Sequence, residues 1–248
     1  MLSPTLGVSF AMNNHEGPCR SPGYWREGVF LPKNTFAGLE PPYFEFQRVG
    51  AVVLPVPYDS SIEWRDGFRS APQAVIDACQ YLQLYDLELD CDIYEIGIAT
   101  LPQVEPALSG PLDMIARVYL IVKDLIATEK FVVVLGGEHS LSLGAVQAFK
   151  EKYPALSVLH LDVHADLRDQ YMGTKYGQAS IMRRIFELCP ICQVGIRSLS
   201  REEKQFLAEN RLKALYRSAV ASQPGSINRV LEALSNEVMG YAIPQGEG

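Results

Sequence analysis

From Val49 onward, apolar residues follow two alternating rhythms. Short, mainly apolar runs at residues 49–56, 131–135, 156–161 and 191–196 read as buried strands, because a strand covered on both faces needs no polar alternation. A shorter run at 93–98 reads the same way. Between them lie helical spacings. Residues 71–84 are expected to be a helix with Ser70 as N-cap and Pro72 in the first turn. Residues 112–126 carry Ile115, Val118, Tyr119, Val122 and Ile126 on one helical face. Further helices are expected at 140–152, at 179–188 and, opening after Ser200, at 201–210. Ile227, Val230, Leu231 and Leu234 mark a last amphipathic helix.

Strand and helix in strict turn imply an α/β fold, a three-layer α/β/α domain with a mainly parallel sheet. Ligands of such sheets gather at the carboxyl ends of the strands. Residues 1–47 are rich in Gly, Pro, Asn and aromatics and lack a period, which reads as an irregular N-terminal arm wrapped on the body or on a neighbouring subunit. The α/β domain is expected over 48–234. Residues 235–248 show neither strand alternation nor helical period and are expected to be an unrelated tail.

Composition narrows the function classes. The chain has 248 residues, 48% hydrophobic and 21% charged, which fits one ordinary globular domain. A net charge of −7 argues against non-specific nucleic-acid binding and is compatible with a small cationic substrate. No run is long enough to span a bilayer, and the N-terminus lacks a basic region followed by an apolar stretch, so a cytoplasmic protein without membrane contact is expected. Five cysteines do not form a disulfide framework. Cys189 and Cys192 have redox or zinc spacing, but no second pair closes a tetrahedral site, so reduced structural cysteines are expected.

The chemistry concentrates where two strands end. Asp162, His164 and Asp166 alternate after the run at 156–161, and a continuous strand would place all three on one face. His139, within Gly136-Gly137-Glu138-His139-Ser140, follows the preceding strand. Carboxylates with imidazoles suit an Mn-type ion. Two bland readings stand beside this one. Gly136–Ser140 is either a tight turn or a phosphate nest, although Glu138 would repel the phosphate. Asp162 could cap a loop, His164 could sit satisfied in the core, and Asp166 could pair with Arg168. Asp and His at a buried strand end are costly unless paired or coordinated, which favours the metal.

Taken together, Gly136–Ser140, His160-Leu161-Asp162-Val163-His164-Ala165-Asp166-Leu167-Arg168 and Met182-Arg183-Arg184-Ile185 resemble the ureohydrolases: arginases, agmatinases and related guanidino hydrolases. Val56-Pro57-Tyr58-Asp59, Leu84-Tyr85-Asp86, Glu95-Ile96-Gly97-Ile98 and Gly195-Ile196-Arg197-Ser198 are similar to further family segments. The likeness runs over 49–234 and is strongest toward bacterial agmatinases. It implies two Mn2+ ions. His139, Asp162 and Asp166 would hold one, and Asp162 and His164 the other, with Asp162 bridging. A hydroxide between them would attack the guanidinium carbon and release urea and an amine. Asp166 would also contact that hydroxide and pass a proton to the leaving amine. Asp166 and His164 are thus the expected catalytic pair, agmatine (yielding putrescine) the expected substrate, and a homo-oligomer the expected state.

Two departures bear on activity. The family has a further Ser-x-Asp-x-Asp strand end, yet no Asp follows Asp169, and Glu237 and Glu247 lack the alternate spacing. The family Glu that grips the guanidinium also has no counterpart. A truncated or frame-shifted chain, with exposed strand edges and one ion or none, is therefore expected, and with it little turnover. Gln178 replaces a family histidine that shuttles protons or binds substrate, and an amide cannot titrate. The competing classes are an inactive relative acting through oligomer contacts and a single-zinc deacetylase-like hydrolase. Trp64, Arg65 and Phe68 are expected to be packing or surface residues, with a pocket lining as the alternative.

Overall fold

The computed structural model describes residues 35–60, 67–216 and 238–242. The strand β1 (Ala51–Val56) lies between β4 (Ile98–Thr100) and β5 (Phe131–Gly136), all parallel. A second parallel group runs β8 (Lys213–Tyr216), β7 (Ile191–Ile196), β6 (Ser157–Leu161), β9 (Val238–Ala242). A small antiparallel ladder, β2 (Tyr85–Asp86) with β3 (Cys91–Asp92), stands apart. The helices are α1 (Ala71–Ala78), α2 (Pro111–Ile126), α3 (Ser142–Lys152), α4 (Ile181–Phe186) and α5 (Arg201–Glu209).

Every residue of β1 is buried, as expected of a parallel strand covered on both faces. Val52, Leu54 and Val56 share a core with Met114, Val118, Val122 and Leu125 of α2. A second core joins Val158 and Ile191 to Ile181, Met182 and Ile185 of α4 and Leu207 of α5. The backbones of α2 and α3 nearly touch, since a Cβ on Gly144 would stand 2.3 Å from the Ile115 carbonyl oxygen.

Several boundaries differ from the sequence reading, each for a local reason. The first strand begins at Ala51, two residues after the run does, and Pro55 sits inside it without breaking it. The Pro55 carbonyl accepts from Val104 beyond the last residue of β4, so the missing N–H falls where no ladder partner stands. The helix at 71–84 stops at Ala78 and passes into a 3-10 turn over Cys79–Tyr81. Ser70 does not cap it, because its hydroxyl donates instead to the Gly67 carbonyl. Ile93–Ile96 is a 3-10 turn, and the strand begins only at Ile98, after Gly97 takes a positive φ.

Within 235–248, expected to be an unrelated tail, the described residues form a strand. Val238–Ala242 forms β9, in parallel register with Ser157–Leu161. A short parallel strand need not alternate, so a run such as Val-Met-Gly-Tyr-Ala carries no period-two signal. Among the described residues, β5 and β9 each have one strand partner, and Phe131 and Val133 on β5 are exposed. The helix expected around Ile227–Leu234, residues 1–34 of the expected arm and the loop with Trp64 and Arg65 lie outside the described residues.

Candidate metal centre

Strand β6 ends at Leu161, so Asp162, His164 and Asp166 do not continue it on one face as a strand would place them. The chain bends, and Asp166 adopts φ +52°, a left-handed conformation that Asp tolerates better than most residues. The loop is held almost residue by residue. Asp162 N–H donates to the Val194 carbonyl, Arg197 and Ser198 N–H donate to the Val163 carbonyl, and Ala165 N–H donates to the Ser198 carbonyl. The first amides of α4, at Met182 and Arg183, donate to the Asp166 carbonyl. Leu167 N–H donates 2.9 Å to Glu203 Oε1, and the other oxygen of Glu203 accepts from Ser200 N–H in the capping box that opens α5.

This scaffold brings four side chains together. His139 (in the turn after β5), His160 (on β6), Asp162 and Asp166 offer ligand atoms that all lie within 4.8 Å of one another. His139 Nδ1 lies 2.8 Å from Asp166 Oδ2. His160 Nε2 lies 3.3 Å from Asp162 Oδ2, and the rings of His139 and His160 stack with centroids 5.2 Å apart. Three members are buried and Asp166 is half-buried. The alternative pairing of Asp166 with Arg168 is not formed: Asp166 pairs with His139, and Arg168 lies over the Tyr171 ring.

His164 stands beside this group, not in it. Its backbone N–H donates 2.8 Å to Asp162 Oδ1, its Nδ1 is 3.4 Å from the same oxygen, and its side chain is 53% exposed. The two oxygens of Asp162 thus face opposite ways, Oδ2 toward the buried cluster and Oδ1 toward His164. Burial pushes the Asp162 carboxyl up, but the His160 hydrogen bond and the His164 amide outweigh it and leave it below the ordinary carboxylate range. Burial pushes His160 down despite the hydrogen bond to Asp162, so its ring is neutral near pH 7. Imidazole and carboxylate groups gathered this closely suit a divalent ion.

The neighbouring turn is not a phosphate nest. The Glu138 carboxylate is buried and accepts from Ser60 N–H and the Ser140 hydroxyl. Gly137 is required because a Cβ there would stand 2.2 Å from the Phe68 carbonyl oxygen. Gln178 sits half-buried in the turn before α4, outside the cluster, and Phe68 is 45% exposed. Sequence reasoning left His160 and Gln193 without a role. His160 was detectable as the residue two before Asp162, on the same strand face. Gln193 was detectable as the one polar position in the run 191–196.

The arginase family model matches residues 49–242. The chain belongs to the arginase family. It is 36% identical over 197 residues to the N(1)-aminopropylagmatine ureohydrolase of Thermus thermophilus, a match covering 78% of this chain and 66% of that protein. It is 30% identical over 200 residues to the Synechocystis protein of the same name, covering 77% and 65%. Agmatinase of Bacillus subtilis is 31% identical over 174 residues, covering 67% and 58%. The chain therefore spans 58–66% of the length of these relatives. The crystal structure of agmatine ureohydrolase of Thermoplasma volcanium superposes with a TM-score of 0.75 at 27% identity, covering 86% of this chain and 72% of that one. These likenesses bear out the arginase-like α/β fold, and no helix among the described residues is long and apolar enough to cross a membrane.

Proposed function

We propose that this family member hydrolyses a linear aminoalkylguanidine of the agmatine type to urea and an amine at a divalent-metal site. The observation that carries this is the cluster of His139, His160, Asp162 and Asp166 at the carboxyl ends of β5 and β6. Carboxylates and imidazoles favour Mn2+; His139, Asp162 and Asp166 would hold one ion, and Asp162 and His164 a second. A metal bound there supplies Lewis acidity and a water deprotonated near neutral pH. The protein's own part is positioning: the pinned loop holds Asp162, and Asp166, 2.8 Å from His139, would hand a proton to the leaving amine. Water adds to the guanidinium carbon, the bond from that carbon to the alkyl nitrogen breaks, and urea and a protonated amine leave.

Relatives named for agmatine and for N(1)-aminopropylagmatine both support the substrate class. The net charge of −7 is compatible with a cation. A homo-oligomer in the cytoplasm belongs to the same reading. The test is urea release from each of the two guanidines with Mn2+ present. Urea formed from either, and lost in His164→Ala, supports the proposal; metal-loaded protein that releases none overturns it.

A further inference from the structure

We infer that His160 is a positioning residue and not a metal ligand: it donates a hydrogen bond that holds the Asp162 carboxylate, and Gln193 on β7 locks it in that role. The inference rests on the metal reading of the site, and its argument is one of donors and acceptors. Gln193 is fully buried, and its amide nitrogen lies 2.7 Å from the Ala165 carbonyl oxygen and 2.9 Å from His160 Nδ1. A backbone carbonyl only accepts, so the Gln193 atom facing it is the NH2 group. That group's second N–H is directed at His160 Nδ1, which must then carry a lone pair. In a neutral imidazole the proton sits on the other nitrogen, Nε2, 3.3 Å from Asp162 Oδ2. A nitrogen bearing hydrogen has no lone pair for a metal.

The alternative arrangement is disfavoured by the same neighbours. Turning the amide over would press its oxygen against the Ala165 carbonyl, two acceptors face to face. The lock therefore runs from Ala165 through Gln193 and His160 to Asp162, joining the metal loop, β7 and β6. With Oδ2 held by His160 and Oδ1 by the His164 amide, Asp162 is held at both oxygens. Orienting partners of this kind change metal affinity by about 10–100-fold when removed.

The test uses the full chain. In the metal-free protein, ring-nitrogen NMR of His160, assigned by its loss in His160→Gln, is expected to report the Nε2–H tautomer. In Gln193→Leu it is expected to become a mixture. Mn2+ affinity, measured by electron paramagnetic resonance, is expected to fall about 10–100-fold in His160→Leu. It is expected to stay within about threefold of wild type in His160→Gln, whose amide N–H reaches the position of Nε2, if the donor is what counts. An Nδ1–H tautomer in the wild type overturns the inference, and so does equal loss of affinity in the Gln and Leu variants. Wild-type protein that binds no Mn2+ yet shows Nε2–H on His160 sinks the metal reading while upholding the lock. If a variant fails to fold, the wild-type tautomer still decides.

Discussion

His139 Nδ1 and Asp166 Oδ2 stand 2.8 Å apart, joining the turn after β5 to the loop after β6 although the residues are 27 positions apart in the chain. Asp166 also carries φ +52°, so its two roles can be separated by substitution. Asn keeps the left-handed preference and loses the charge, whereas Ala loses both. Asp166→Asn should melt within a few degrees of wild type while Mn2+ binding weakens by about 100-fold or more, beyond the loss expected of a supporting group. Asp166→Ala should lose the same affinity and about 1–2 kcal/mol of stability besides. Thermal melts and Mn2+ titrations on the pair check both parts.

Glu203 ties the metal loop to α5 through its two oxygens, one on Leu167 N–H and one on Ser200 N–H. Ser200→Ala should cost about 1 kcal/mol, the ordinary worth of an N-cap. Glu203→Ala should cost more, about 2 kcal/mol or above, because the buried amide of Leu167 also loses its acceptor. Hydrogen exchange at Leu167 should accelerate strongly in Glu203→Ala and little in Ser200→Ala.

The close approach of α2 and α3 sets the sign of Gly144→Ala. In an isolated helix the change would stabilise by about 1 kcal/mol. Here the new methyl would meet the Ile115 carbonyl oxygen at 2.3 Å and the Tyr119 backbone nitrogen at 3.0 Å, and neither can swing aside. Overpacking should win, with a net loss of about 1–3 kcal/mol in urea denaturation.

Burial pushes the Cys189 thiol up to about 11 from its ordinary 9.0. A raised pKa means the folded state holds its proton where the unfolded state has released it. The associated stability is complete below pH 9 and is lost as pH rises toward 11. In the native protein at pH 8, Cys189 should react with iodoacetamide far more slowly than the exposed Cys91, and denaturant should abolish the difference. Peptide mass spectrometry of the labelled chain measures it.

Much of the fold was legible in the chain because its strands are mainly apolar runs separated by helical spacings. Ile191–Ile196 was read to the residue, and α2 to within one. Strand β9 was not legible, because a parallel strand carries no alternation to detect and Val238–Ala242 is short. Three of the four clustered side chains, His139, Asp162 and Asp166, were named from type and spacing. The path between Asp162 and Asp166 was not readable, since it depends on Val194, Arg197, Ser198 and Glu203, residues remote in sequence. Gln193 escaped for the same reason: its role exists only once β7 lies beside β6.

The most direct test of the whole account is a calorimetric titration of the full chain with Mn2+, run beside Asp162→Ala, since Asp162 lies between the buried cluster and His164. The account predicts saturable binding by the wild type that Asp162→Ala abolishes. A wild type that takes up no Mn2+, or a variant that binds it as tightly as the wild type, would contradict it.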